Sequence, residues 1–376
     1  MTIDLRKLLG INAFVLSSIL IILIISIPVF AFLRVPFIIA HIVTFSLACV
    51  LYKQKIGINF AQNFIFALIF YVLIQNLYLG ESWIVVVQSI AMPILLLMTV
   101  QLAQINSLYF YESNDYKKLA KLLFCLLPFF AVSLNVWSDT RSAGLFMNPN
   151  ITAHMALMLS PFVLLGLKTK KMKALLLLLV SILIAITASR SGLLAFLLSV
   201  SSYIFVSYFK NIKFVFLTVL IAATTLISIY GVDIAVWFFS EVISKEDSSS
   251  RLLYTGYNGR DILMDIALQR FSSQPWFGLG FDGAKFELDG HELGTHNGML
   301  DLLLRLGIIG TSLFSLFSIC LVYMASKANT AIKPVVVMSL VAIFSLSTNS
   351  STFFVFNYLF LYAVILTYVG YINKKK

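Results

Sequence analysis

KKMKALLLLLVSILIAITASRSGLLAFLLSVSSYIFVSYFK, residues Lys170–Lys210, is the stretch on which the fold turns. Lysines flank it, and between them run two apolar segments separated by Ser189-Arg190-Ser191-Gly192. Crossing the hydrocarbon core takes about 20 residues of helix. The stretch is therefore long enough for two helices if the chain turns at those four residues. Gly192 supports a turn there, and a charge such as Arg190 belongs at a membrane face rather than in mid-bilayer. In lipid, each backbone N–H and C=O must be satisfied within its own segment, so the two runs are read as helices.

The pattern recurs on both sides. The chain of 376 residues is 60% hydrophobic and 11% charged, with mean hydropathy +0.96. A soluble domain carries about 25% charged residues. These numbers predict an all-α polytopic membrane protein of about twelve transmembrane helices. The expected spans lie near 8–32, 36–52, 58–79, 83–104, 119–136, 151–167, 174–189, 192–209, 213–232, 297–325, 333–348 and 353–372. The first run is too long for the apolar region of a signal peptide, has no small-x-small cleavage site, and is followed by further spans. Neither repeats nor an interdomain linker interrupts the chain, so 1–376 is read as one integral membrane domain. Cys49, Cys125 and Cys320 all fall inside apolar runs. An odd number without paired spacing points to buried small side chains rather than a disulfide framework or zinc site.

The net charge is +11. Its distribution argues against a nucleic-acid partner. Of 27 basic residues, 18 fall in the termini and in alternate turns, which places them on one side of the membrane. The positive-inside rule makes that side the cytoplasm, with both termini there. Seven of the nine on the other side are arginines: Arg34, Arg141, Arg190, Arg251, Arg260, Arg270 and Arg305. The cytoplasmic set is nearly all lysine. Point charges suffice for topology, whereas the planar guanidinium is suited to bidentate recognition of phosphate. Arg34 and Arg305 are read as headgroup-level anchors, and Arg190 and Arg260 as substrate ligands.

The outer loops are short apart from Trp137–Asn150 and the large loop 233–295. The large loop is expected to contain short amphipathic helices. One is read over Arg260–Phe271, with Ile262, Ile266 and Phe271 opposed to Asp261, Asp265 and Arg270. Pro275-Trp276-Phe277-Gly278-Leu279-Gly280 ends it in a turn, and Thr295-His296-Asn297-Gly298 leads into the next span. His296 is the candidate catalytic residue, because a neutral imidazole at that position accepts a proton near pH 7. His154, after Asn148-Pro149-Asn150, is a weaker candidate for the same cavity. His291, Asp301 and Trp276 are accessory candidates: a solvated or ligating histidine, a carboxylate one turn along from His296, and a ring for stacking on sugar. His291 and His296 are spaced H-x4-H rather than H-E-x-x-H, so no metal site is assigned. Without a Walker loop or a dinucleotide fingerprint, no cofactor is expected either.

Several of these motifs, in order, resemble the O-antigen ligase and O-antigen polymerase superfamily of bacterial inner-membrane proteins. They are Gly144-Leu145-Phe146 with Asn148-Pro149-Asn150, Ser189-Arg190-Ser191-Gly192, Gly259-Arg260 leading to Pro275–Gly280, His296-Asn297, and Leu306-Gly307-Ile308-Ile309-Gly310. The resemblance implies a metal-independent, GT-C-like glycosyltransferase working at the periplasmic face on an undecaprenyl-pyrophosphate-linked glycan. It implies Arg190 and Arg260 on the donor pyrophosphate and His296 as general base toward the acceptor hydroxyl. The acceptor it implies is either another lipid-linked glycan (a polymerase) or lipid A-core (a ligase). A chain-length regulator or other envelope-assembly proteins are partners of the same kind. Two rival classes are a polysaccharide transporter or flippase, which calls for mid-membrane charges and inverted repeats, and a non-catalytic scaffold.

Overall fold

The computed structural model describes residues 60–83, 114–131, 136–138, 141–209, 213–227, 260–281, 285–288, 291–295, 297–328 and 332–348, with a few isolated positions before 60 and within 84–97. The spans expected at 8–32, 36–52 and 353–372 and most of the one at 83–104 lie outside the described residues, as do Arg34, Cys49 and Arg251.

The described helices are α1 (Phe60–Leu79), α2 (Asn114–Leu126), α3 (Pro149–Gly166), α4 (Lys170–Thr187), α5 (Arg190–Tyr208), α6 (Phe214–Ile227), α7 (Arg260–Ser273), α8 (Gly298–Ser326) and α9 (Lys333–Ser347). A 3-10 turn, Leu127–Ala131, extends α2. The segments between helices also contain two short antiparallel hairpins. These pair β1 (Val136–Ser138) with β2 (Arg141–Ser142) and β3 (Lys285–Leu288) with β4 (His291–Gly294). The expectation of amphipathic helices alone in the large loop omitted the second hairpin.

Among the described residues, α3, α5 and α8 are long and apolar enough to cross a membrane, and α1, α6, α9 and the α2 region are shorter apolar helices. The fold is helical, and this is a multi-pass membrane protein. Its outer surface is itself apolar: Phe70, Ile74, Leu178, Ile182, Leu197 and Val219 are all exposed. Water would not tolerate so continuous a covering, but hydrocarbon does.

At the centre stand α3 and α9, each buried nearly all round, as expected of helices whose apolar residues show no preferred side. Around them, α5 turns inward a stripe of Gly192, Ala195, Phe196, Ser199, Ser202 and Val206. Most of these side chains are small, which lets backbones approach closely where no hydrophobic effect drives helices together. Leu176, Val180, Leu183, Ile184 and Thr187 form the equivalent stripe on α4. Cys125 is exposed on α2 rather than buried, and Cys320 is half-buried.

The chain does turn between α4 and α5, through Ala188 and Ser189 alone. The span expected at 297–325 is present as α8, but it is not one continuous helix. Gly307, at φ 62° and ψ −171°, interrupts it.

Candidate functional site

Two helix starts meet at one end of the bundle. The N-cap of α3 is Asn148, whose side-chain oxygen accepts from the amides of Asn150 (2.9 Å) and Ile151 (3.3 Å). Pro149 follows at the first helical position, where its missing N–H costs nothing. The N-cap of α5 is Ser189, which accepts from Gly192 N at 3.2 Å. Its hydroxyl donates to Asn150 Oδ1 at 3.0 Å, tying the two starts together. The loop before α3 is held from behind by Leu145 N to Phe130 O (3.1 Å) and Thr152 Oγ1 to Ala143 O (2.7 Å).

Arg190 is the first residue of α5 and is half-buried beside this junction. His154, 1% exposed, lies one turn into α3 with Nε2 3.5 Å from Ser191 Oγ. Both helix dipoles present their positive ends here, next to a guanidinium, which favours an anion. The far end of α3 leads into Lys168, Lys170 and Lys171, all exposed. The lysine-rich turn and the Arg190 turn are thus at opposite ends of α3, about 27 Å apart at 1.5 Å per residue.

The second region is the start of α8. Asn297 is its N-cap and accepts from Met299 N (3.0 Å) and Leu300 N (3.2 Å). Thr295 Oγ1 donates to Asn297 O at 2.9 Å and accepts from Asn297 N at 3.2 Å. His296 itself lies outside the described residues, but both its neighbours are fixed at the helix start by these bonds. α7 packs on the same part of α8 through Leu263 and Ala267 against Leu300 and Leu304, with Ile266, Phe271 and Leu279 at the edges.

The α7 helix expected over 260–271 is therefore present, with Ile266 and Phe271 on its packed side and Asp265 and Arg270 exposed, as read in the sequence; the centre of the contact is Leu263 and Ala267. Leu263 and Ala267 face inward, while Met264 and Leu268 are exposed. Apolar residues occur on both sides of α7, and the neighbouring helix selects which are buried. Arg260 opens α7. Its side chain, like that of His291 on β4, lies outside the described residues.

Asp301 is 1% exposed, and its Oδ2 lies 3.3 Å from Arg305 Nε. Arg305 also donates to Phe281 O and sits over the Phe281 ring, 4.7 Å from its centroid. Arg305 is thus a partly buried clamp that engages the buried carboxylate of Asp301, rather than a headgroup anchor. Trp276 is 61% exposed: its carbonyl packs the turn while its ring stays free.

The break in α8 is closed by the Pro275–Gly280 turn. Within an unbroken helix, Ile308 and Ile309 would donate to the carbonyls four residues back. Here Ile308 N donates to Pro275 O (2.8 Å) and Ile309 N to Trp276 O (3.2 Å). The carbonyls so released accept from the turn in exchange, Leu304 O from Leu279 N (2.6 Å) and Arg305 O from Gly280 N (3.2 Å). Two polar side chains of α1 complete the exchange. Gln75 Nε2 donates to Arg305 O at 2.6 Å and also to Phe277 O. The Tyr71 hydroxyl is shared between Leu306 O (2.6 Å) and Phe277 O (2.9 Å). Gly278, at φ 73°, passes so close to Gly307 that a Cβ on either would overlap the other's backbone. Sequence reading did not single out Tyr71 or Gln75. The available signal was two polar side chains four residues apart within an apolar span, where such groups are expensive and need partners.

The structure thus places Arg190 at the joined helix starts, and Arg260 and the neighbours of His296 on the adjoining helices α7 and α8. Residues 174–315 match the family described as O-antigen ligase. No curated protein matches the chain. The matched segment runs from α4 to residue 315 within α8 and contains Arg190, Arg260, His296, the Pro275–Gly280 turn and Gly307. The Gly144–Asn150 loop, α1 and α9 lie outside it. The chain therefore carries an O-antigen ligase family domain, of a membrane enzyme family acting on lipid-linked glycans in surface polysaccharide synthesis.

Proposed function

We propose that this protein is a surface-polysaccharide polymerase of the bacterial inner membrane. It transfers an undecaprenyl-pyrophosphate-linked glycan to a second lipid-linked glycan at the periplasmic face. The observation that carries the reading is Arg190, half-buried at the amino end of α5 within the family domain, on a turn locked by Ser189 and Asn150. A guanidinium on a held turn beside two helix amino ends suits a pyrophosphate at headgroup level while its lipid tail stays in the bilayer.

In this mechanism Arg190 and Arg260 hold the donor pyrophosphate. His296 takes the proton of the acceptor hydroxyl as that oxygen bonds to the donor sugar C1. The bond from C1 to the pyrophosphate oxygen breaks, and the leaving lipid pyrophosphate is stabilised by the two arginines. No metal takes part, so chelator leaves the rate unchanged.

The same chemistry serves a ligase, with lipid A-core as acceptor, and the family's description supports that second reading. The shortness of the loop 233–295 in the sequence supports the polymerase. Surface glycan from a deletion strain decides between them: core capped with one repeat means a lost polymerase, and uncapped core a lost ligase. Complementation with His296→Ala or Arg190→Ala at normal protein level is expected to fail. If both variants restored the glycan, the assignment of the site would be lost.

A further inference from the structure

α8 is interrupted at Gly307, where the amides of Ile308 and Ile309 donate to Pro275 O and Trp276 O instead of to the carbonyls four residues back. Its outer piece, Gly298–Leu306, is about 13 Å long. α7 packs on that piece, so Arg260 and the flanks of His296 belong to one outer unit. Arg190 belongs to the other unit, the bundle of α3, α5 and α9. An intact helix would transmit orientation through its own ladder. Here the amides beyond the break bond to the turn, and the turn bonds back to the outer piece.

Two side chains hold turn and helix at once. Gln75 reaches Phe277 O and Arg305 O, and Tyr71 reaches Phe277 O and Leu306 O. Both come from α1, which lies outside the family domain.

From this geometry we infer that Tyr71 and Gln75 are positioning residues for glycan transfer: by fastening the broken α8 to the Pro275–Gly280 turn, they set the unit carrying Arg260 and His296 against the unit carrying Arg190. The inference rests on the site proposed above. It places a determinant of turnover on a helix that contributes no reacting group.

A loose frame affects the two stages of the reaction differently. Guanidinium groups on long flexible stems follow a pyrophosphate through small displacements, so donor binding survives. Attack on C1 requires the hydroxyl, the base and the leaving group in line, and a misplacement of about 1 Å costs up to ~100-fold in rate.

The test uses the full chain in lipid nanodiscs with lipid-linked repeat units extracted from a strain deleted for this gene. Rates are taken per folded molecule, counted by size-exclusion chromatography. Gln75→Met removes both donors at similar size, and Tyr71→Phe removes one and keeps the ring. Each variant is expected to lower kcat about ten-fold or more while donor KM stays within about two-fold of wild type. That split separates positioning from a merely structural role, which would lower the folded count and leave kcat per folded molecule unchanged. The inference is overturned if kcat per folded molecule is unaltered in both variants, or if KM rises in step with the loss.

Arg190→Ala and His296→Ala run alongside. If they abolish turnover while Gln75→Met and Tyr71→Phe retain it, the positioning role alone falls. If they leave turnover intact, the site falls and the positioning role falls with it.

Discussion

The chain interrupts its apolar helices in two contrasting ways, at Ser189–Gly192 between α4 and α5 and at Gly307 within α8. At the first, the helix ends and the chain turns. The new helix start is capped by its own residue, Ser189 to Gly192 N across three positions, and the distant contacts of its serines, Ser189 to Asn150 and Ser191 to His154, reach no farther than the neighbouring start of α3. At the second, the chain passes through a kink and the helix resumes. The backbone groups freed by the break are satisfied by residues about 30 positions away in the 275–280 turn and over 200 positions away on α1. A turn at a membrane face has polar headgroups and water to help it. A break along a span has neither, so irregular backbone persists there only where protein supplies every partner. The first interruption is accordingly a local device and the second a tertiary one.

The contrast is broken most severely by Gly307→Ala. Its φ and ψ lie in a region that is essentially glycine-only, and a Cβ would overlap the Trp276 carbonyl and the Gly278 amide. A loss of about 3 kcal/mol or more is expected, read as a fall in melting temperature by fluorescence-detected size-exclusion chromatography. Melting within error of wild type would mean that the break carries no tertiary constraint.

Next comes Arg305→Met, which removes the cation 3.3 Å from the buried Asp301 carboxylate and the donor to Phe281 O. About 3 kcal/mol is expected, with partial recovery when Asp301→Leu is added. Recovery would fail if Asp301 were held mainly by other contacts.

Ser189→Ala is smaller, about 1–2 kcal/mol, for the lost cap and the lost bond to Asn150. A loss as large as that of Gly307→Ala would erase the distinction between local and distant support. Thr169→Ala serves as the reference for a cap at an exposed turn. Its hydroxyl accepts only from Met172 N at 3.2 Å, and at most about 1 kcal/mol is expected.

The difference between the two interruptions also explains what could be read in advance. The turn at Ser189–Gly192 announces itself, because a serine, an arginine and a glycine stand together between two runs of nearly pure hydrocarbon. The Gly307 break is hidden, because Leu306-Gly307-Ile308-Ile309-Gly310 is as apolar as its surroundings and reads as uninterrupted span. Both members of the exchange, this segment and Pro275–Gly280, were legible as separate motifs. That each supplies the other's missing hydrogen bonds was not, since no periodicity links them. The helix at Arg260 was placed correctly to within two residues, with Ile266 and Phe271 on its packed side, but that Leu263 and Ala267 form the centre of the contact was not legible because apolar residues lie on both sides of it. Arg305 gave no sign that it pairs inward with Asp301 rather than outward with headgroups.

Composition and the spacing of charges were enough, by themselves, to determine a helical multi-pass membrane protein, the turn between α4 and α5, and the segregation of lysine from arginine. These follow from hydrocarbon length, from the cost of charge in lipid and from capping, all of which act over a few residues or on the sum of many. Tertiary structure alone decided that α3 and α9 are the central helices, that Asn150 joins Ser189, and that α8 is broken and rejoined through Tyr71 and Gln75. In lipid every helix surface is apolar, so apolarity cannot distinguish an inward side from an outward one. The choice is left to shape and to the pairing of scarce polar groups, which exists only once distant segments meet.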